Sequence, residues 1–320
     1  MRRFTITAAA LLLVAPPVCA QPYPVKPIRL IVASAPGGAP DILARLVAQK
    51  LSDSLAQQIV VDNRAGASGL IGAEIAAKAP PDGYTLFLGT TTLYAILPNL
   101  RRKLPYDPVR DFASITQIAA ASNVLVINPA VPAKTVAELL QLAKSKPESL
   151  NYASAGSGTP AHLAGEMLNV LAGIRMTHVP YKGAGPALLD VIAGQVQVII
   201  TSPIAAGPHI ASGKVRALAT TGSRRNPALP DLPTVAETLP GYDITQWWGI
   251  SAPAGTPPMI VKRLNAETAR IVNLAAMRER LNREGAVPVG GTPQEFTAFI
   301  AAERMRLGKV IRQAGILLAN

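Results

Sequence analysis

Short apolar runs, each closed by a glycine-rich or proline-rich turn and followed by an amphipathic stretch, recur along the chain and predict alternating strands and helices. Ile28-Arg-Leu-Ile-Val-Ala33 reads as a strand and Ser34-Ala-Pro-Gly-Gly-Ala-Pro40 as a loop. The stretch after it reads as a helix with Leu43, Leu46, Val47, Leu51 and Leu55 on one face. The alternation continues with Ile59 to Val61 strand-like, Leu70 to Ala79 helical and Tyr84 to Leu88 strand-like, with Pro80-Pro-Asp-Gly83 as a turn. That order implies a parallel sheet with covering helices.

A second set of elements repeats the first without clear sequence identity. Val124 to Ile127 reads as a strand, Val136 to Lys144 as a helix and Asn151 to Ala153 as a strand. A second glycine loop, Ser154-Ala-Gly-Ser-Gly-Thr159, then leads into a helix from Pro160 with Leu163, Met167, Leu168 and Leu171 inward. Met176 to Val179, Val196 to Ile200 and Val215 to Ala219 are strand-like, and Ala187 to Ala193 is helical. Four prolines between Pro227 and Pro240 mark a connector. Ile244 to Ser251 returns as a strand, and the tail from Pro257 is mostly helical.

The chain has 320 residues, 49% apolar and 16% charged, enough for about two domains and too apolar for disorder. Its first twenty residues change the picture of where it works. Arg2 and Arg3, the apolar run Thr5 to Ala15 and the small-residue site Val18-Cys19-Ala20 predict a signal peptide cleaved after Ala20, leaving Gln21 first. The run is too short to cross a bilayer. Pro-Pro-Val before Cys19 is a poor match to a lipoprotein signal, and cleavage would leave a mature chain without cysteine. A disulfide framework and multi-cysteine metal sites are excluded.

Without Arg2 and Arg3 the chain carries 29 basic and 19 acidic side chains. The basic residues are dispersed and aromatic residues make up only 4%, which argues against a nucleic-acid partner. Hydrolytic motifs are missing, and the three histidines, His162, His178 and His209, form no catalytic pattern in sequence.

The two glycine loops carry the chemistry. Each lies after a strand and before a helix, where main-chain N–H groups and the helix dipole attract an anion. Gly37, Gly38, Gly156 and Gly158 permit positive φ and close backbone approach. Neither loop contains Lys or Arg, so a bound carboxylate would rely on N–H groups, hydroxyls and water. Tight βα turns are the plain alternative for either loop alone. His162, in the first turn after the second loop, is placed to bond ligand or loop and to pair with Glu166 one turn on. Lys182-Gly183 puts a cation near the strands' carboxyl ends, and Trp247-Trp248 read as hinge or interlobe packing. Gly156-x-Gly158-x-x-Ala161 also fits a dinucleotide fingerprint, the mark of an NAD(P)-dependent Rossmann-type enzyme, but no acid lies in the region Thr177-His178-Val179-Pro180 where one is expected.

Many ordered blocks resemble the Bug family, the extracytoplasmic solute receptors of tripartite tricarboxylate transporters. Among them are Tyr23-Pro-Val-Lys-Pro-Ile-Arg-Leu-Ile-Val, Ala35-Pro-Gly-Gly, Asn63-Arg-Ala-Gly, Pro81-Asp-Gly-Tyr-Thr-Leu, Tyr152-Ala-Ser-Ala-Gly-Ser-Gly-Thr, His178-Val-Pro-Tyr-Lys-Gly and Leu229-Pro-Asp-Leu-Pro-Thr-Val-Ala-Glu. The resemblance covers nearly all of the mature chain. It implies an α/β, two-lobed periplasmic binding protein fold of type II, each lobe a mostly parallel sheet covered by helices. Lobe 1 would comprise residues 21–122 and 248–320, and lobe 2 residues 123–247, with the ligand cleft between them.

The implied function is a monomeric periplasmic receptor that captures a small organic carboxylate and delivers it to membrane permease subunits, with no catalysis and no cofactor. A sensory receptor of the same fold is the alternative role. In such proteins the two loops hold carboxylate oxygens, the first often through two ordered waters. This gives Ala35, Gly37, Gly38, Ala39 and Asp41 in one lobe, and Ser154, Gly156, Ser157, Gly158 and Thr159 in the other, as expected contacts. Family pattern adds Thr91, Lys182, Gly183 and Ser202, and His162 joins them by its place in the chain. Ser34 stands where many relatives carry Phe, Pro40 where many carry Thr, and Leu307 where a tail Trp is frequent.

Overall fold

The computed structural model describes residues 23–313 and Ile316, except Glu148, Ala228 and Glu284. The expected signal peptide, Cys19 and the Ala20–Gln21 cleavage site lie outside the described residues. In chain order the first group of elements is β1 (Ile28–Val32), α1 (Ala39–Leu55), β2 (Ile59–Asn63), α2 (Leu70–Ala77), β3 (Thr85–Thr90), α3 (Leu97–Leu100) and β4 (Phe112–Ser122). The second group is β5 (Val124–Ile127), α4 (Val136–Ser145), β6 (Asn151–Ser154), α5 (Pro160–Ala172), β7 (Thr177–Pro180), α6 (Ala184–Ile192), β8 (Val198–Thr201), α7 (Pro203–Ala211) and β9 (Arg216–Thr220). The chain then returns through β10 (Thr245–Pro253), α8 (Pro258–Val272), α9 (Ala275–Arg283), β11 (Val287–Gly290) and α10 (Pro293–Gln313).

Two sheets result. One has the order β11-β4-β10-β3-β1-β2 and the other β7-β6-β8-β5-β9. The chain therefore crosses between sheets twice, at Asn123 and again between β9 and β10. Trp247 lies in β10 and belongs to the first sheet. By direction most strands run one way: β1, β2, β3 and β4 in the first sheet, and β6, β7, β8 and β9 in the second. The pairing is more mixed than the sequence pattern implies, because the returning strands β10 and β5 insert antiparallel between strands of the majority direction.

Local rules explain the helices beside the cleft. In α1 the buried positions Leu43, Ala44, Val47, Ala48, Leu51 and Leu55 repeat at three- and four-residue spacing, and Pro40 sits in the first turn, where its missing N–H costs nothing. The Thr159 hydroxyl caps α5, whose end is marked by left-handed Gly173. Ser202 caps α7 in the same way.

The tryptophans are core residues. Trp247 stacks on Tyr94 at 6.1 Å, meets Phe296 and Phe299 edge-on, and donates its indole N–H to Glu303. Trp248 packs on the opposite face, with Leu88, Ile118 and Ile250 among the residues of its cluster. Leu307 is fully buried in α10. No described helix is long and apolar enough to cross a membrane.

Candidate functional site

A cavity of about 320 Å³ lies between the two sheets, lined from both. Its walls are mostly helix starts. Gly38, Ala39 and Pro40 open α1; Gly69 precedes α2; Thr159, Pro160 and Ala161 open α5; Gly183 and Ala184 open α6; and Ser202 caps α7. Thr91 and Thr92 add the start of a single turn of π-helix, Thr92–Ile96. Each start presents N–H groups that the helix itself cannot satisfy, so the walls carry positive potential. Among the described lining residues Lys182 is the one charged side chain, and it pairs with no described carboxylate.

The lobes are closed over this space. Ser68 Oγ of the first lobe donates to the Ser157 carbonyl of the second at 2.5 Å. A Cβ built at Gly183 would lie 3.1 Å from the Ala35 side chain, and one at Gly185 would lie 3.4 Å from the Pro36 carbonyl. The loop that carries Ser68 is left-handed throughout, with φ of 123° at Gly66, 48° at Ala67, 58° at Ser68 and 93° at Gly69. Two adjacent non-glycine residues in that region are uncommon, and they aim the Ser68 hydroxyl across the cleft.

The expected site residues divide into two groups. Gly38, Ala39, Thr91, Gly156, Ser157, Thr159, Lys182, Gly183 and Ser202 line the cavity. Ala35, Gly37, Asp41, Ser154, Gly158 and His162 do not; five of these six brace the loops from behind, and Ala35 sits at the cleft mouth against Gly183. The Gly37 N–H donates to Asp41 Oδ2 at 3.0 Å. Burial pushes the Asp41 carboxyl up, but Arg45 and the Gly37 N–H outweigh it and hold the group below the usual carboxylate range.

In the second loop the Gly156 N–H goes to Ser154 Oγ at 3.1 Å and the Gly158 N–H to His162 Nδ1 at 3.2 Å. These three glycine N–H groups, expected to be free for an anion, are therefore engaged. The N–H groups of Gly38 and Ser157, with the first-turn groups of Ala39 and Ala161, have no acceptor among the described residues.

His162 does not pair with Glu166, whose carboxylate accepts from Tyr152 Oη at 2.6 Å. Its ring lies 4.2 Å from that of His178, and His178 Nε2 bonds Ser154 Oγ at 2.7 Å. Burial, with His162 nearby, pushes the His178 pKa down to about 3. Burial lowers that of His162 too, against a smaller pull from Glu166. Thr91 has its hydroxyl occupied by the Trp247 main chain, accepting from its N–H at 2.7 Å.

Sequence reading missed Ser68, Asn123 and Gln246, all of which line the cavity. The first had a usable signal: Gly66-Ala-Ser-Gly69 follows a strand and precedes a helix, as the two recognised loops do. Gly38 also differs from expectation, for its φ is −82° and its backbone needs no glycine. A Cβ there would meet only the Ala35 carbonyl and Pro40 Cδ, both at 3.7 Å. Gly38→Val is accordingly expected to keep the melting temperature while filling the cavity, weakening solute binding at least tenfold, or about 1.4 kcal/mol. Titration calorimetry checks this, and an unchanged affinity would remove α1 from the site. Gly158, at φ 77°, is a poor partner for that test because valine there is strained in any case.

Comparison with known proteins agrees with this architecture. The model of the tripartite tricarboxylate transporter family receptor matches residues 43–316. Protein BugT of Bordetella pertussis is 37% identical over 307 residues, covering 95% of this chain and 94% of the relative. Among solved structures, R. palustris Rpa4515 with adipate superposes with a TM-score of 0.90 at 38% identity, covering 92% of this chain and 99% of that one. MatC from Rhodopseudomonas palustris with bound malate gives 0.85 at 33% identity, covering 90% and 100%. The dinucleotide reading gains nothing, since β7 ends without the acid that would hold a ribose. With two lobes, helix starts converging on the space between them and a match along most of its length, the chain belongs to the tripartite tricarboxylate transporter receptor family.

Proposed function

We propose that this protein is an exported receptor that closes its two lobes over a small organic carboxylate and delivers it to the membrane permease subunits of a tripartite tricarboxylate-type transporter. The observation that carries the reading is the cavity itself. Helix starts from both lobes meet there around Lys182, with no acidic side chain among the described lining residues. That field favours an anion, and N–H groups suit carboxylate oxygens. Adipate and malate in the similar structures support the same class of solute. The first twenty residues support export, with a mature chain starting at Gln21 in the periplasm, and the proposed receptor acts as a monomer.

Gly38, Ala39, Ser157, Thr159, Lys182, Gly183 and Ser202 are proposed to contact the solute, with Gly156 and Thr91 shaping the walls. Gly37, Asp41, Ser154, Gly158 and His162 are proposed to fix the loops. A thermal-shift screen of succinate, malate, adipate, citrate, benzoate and glutamate, followed by calorimetry, tests the function. At least one acid is expected to raise the melting temperature and bind with a Kd near micromolar, about 8 kcal/mol. Folded protein that responds to none of these acids would refute the carboxylate reading.

A further inference from the structure

The two crossovers between the lobes are bonded side by side. The Asn123 N–H donates to Thr221 Oγ1 and the Thr221 N–H to the Asn123 carbonyl, both at 2.9 Å. Thr221 Oγ1 donates in turn to the Ile244 carbonyl at 2.5 Å, and the Ile244 N–H returns to the Thr221 carbonyl at 2.8 Å. Asn123 thus sits where one lobe must rotate on the other. The residue is 1% exposed and lines the cavity. Asn123 Oδ1 accepts from Gln246 Nε2, but Nδ2 has no acceptor among the described residues. A buried amide donor without a partner is costly, and such groups in native proteins call for an explanation.

We propose that Asn123 is a specificity-determining residue whose Nδ2 donates to a second acceptor oxygen of the solute, separate from the carboxylate gathered by the helix starts. The inference rests on the carboxylate reading above and adds to it the chemistry of the solute's other end. A second carboxylate, hydroxyl or carbonyl oxygen satisfies the amide, whereas a methyl leaves it unpaired and an ammonium opposes it. Discrimination of this kind is strong because the penalty of the wrong solute falls on a group already buried. Because the same residue bonds both crossovers, a solute that completes the Asn123 amide also fixes the hinge in its closed setting.

The test is calorimetry on the whole mature chain with matched acids of two lengths: succinate against butyrate, and adipate against hexanoate and 6-aminohexanoate. For at least one length the diacid is expected to bind ten times or more tighter than the monoacid. Asn123→Ala keeps the main-chain bonds to Thr221 and is expected to bring that ratio near one while changing the monoacid affinity less than twofold. Asn123→Asp, of the same shape, is expected to weaken diacids further and to favour 6-aminohexanoate over adipate. The proposal is overturned if the ratio survives in Asn123→Ala, if monoacid and diacid weaken equally, or if the unaltered protein prefers 6-aminohexanoate to adipate. Should the monoacids bind and the diacids gain nothing, this assignment alone falls; should no acid of either length bind, the carboxylate reading falls with it.

Discussion

Lys182→Glu is expected to weaken solute binding about a hundredfold, or roughly 2.7 kcal/mol. Lys182 follows β7, one residue before the start of α6 at Gly183-Ala184, and faces the cavity as its one charged lining side chain among the described residues. Hydrogen bonds to charged groups contribute about 1.5–3 kcal/mol, and reversing the charge adds repulsion to that loss. The ammonium has no carboxylate partner among the described residues, so the substitution breaks no described ion pair and should leave the fold intact. Lys182→Met separates the contributions: it removes the attraction alone and is expected to cost about tenfold, or 1.4 kcal/mol. Calorimetry of both variants with the acid identified by screening checks the result. Affinities within twofold of the unaltered protein would remove Lys182 from the site.

Acid is expected to destabilise the second loop well before ordinary carboxylates protonate. His178 is held neutral by burial and by His162, its pKa pushed down to about 3, and His162 is shifted in the same direction. Below about pH 6.5 the unfolded chain takes up protons at these rings that the folded chain refuses. Stability therefore falls as pH drops from about 6.5 toward 3, with His178 contributing up to about 1.4 kcal/mol per unit and His162 acting in the same direction. The partial exposure of His178 lowers its share. Urea unfolding at pH 7.5 and 5.0 measures the slope. His178→Phe keeps a ring against His162 and Tyr152 but cannot titrate, so its slope over this window should be shallower. Stability that stays flat or rises toward pH 5 in the unaltered protein would contradict this account.

α1 and α5 were legible because each has an apolar face and a proline in its first turn, to which α5 adds the Thr159 cap; α7, with Ser202 and Pro203 at its start, was not read as a helix. β4 was not legible, although it is the longest strand. Its large apolar residues Phe112, Ile115 and Ile118 recur every three positions among Ala, Ser and Thr, so the alternation that marks a strand is missing. The reason is visible in its pairing with β10, which shifts register between Trp248 and Gly249 and again between Ile250 and Ser251. β11, Val287-Pro-Val-Gly290, is an edge strand within a tail read as helical, and the edge is where a strand tolerates proline.

For the site, the loops were readable but not the use of their N–H groups. Which glycine N–H remains free depends on acceptors such as Asp41 Oδ2 and His162 Nδ1, and their orientation is a tertiary fact. Asn123 gave no signal at all, since one Asn before a strand is ordinary in sequence. Only the fold shows that it falls on a crossover with its amide unpaired.

The helix starts around the cavity bear on how such a protein can change over generations. Main-chain N–H groups belong to every residue except proline, so drift in side-chain identity leaves an anion anchor of this type in place as long as the loops keep their course. The side chains that share the cavity, among them Asn123, Gln246 and Ser34, carry no such protection. A lineage built on this plan can exchange one acid for another through a few replacements there while its grip on the common carboxylate persists.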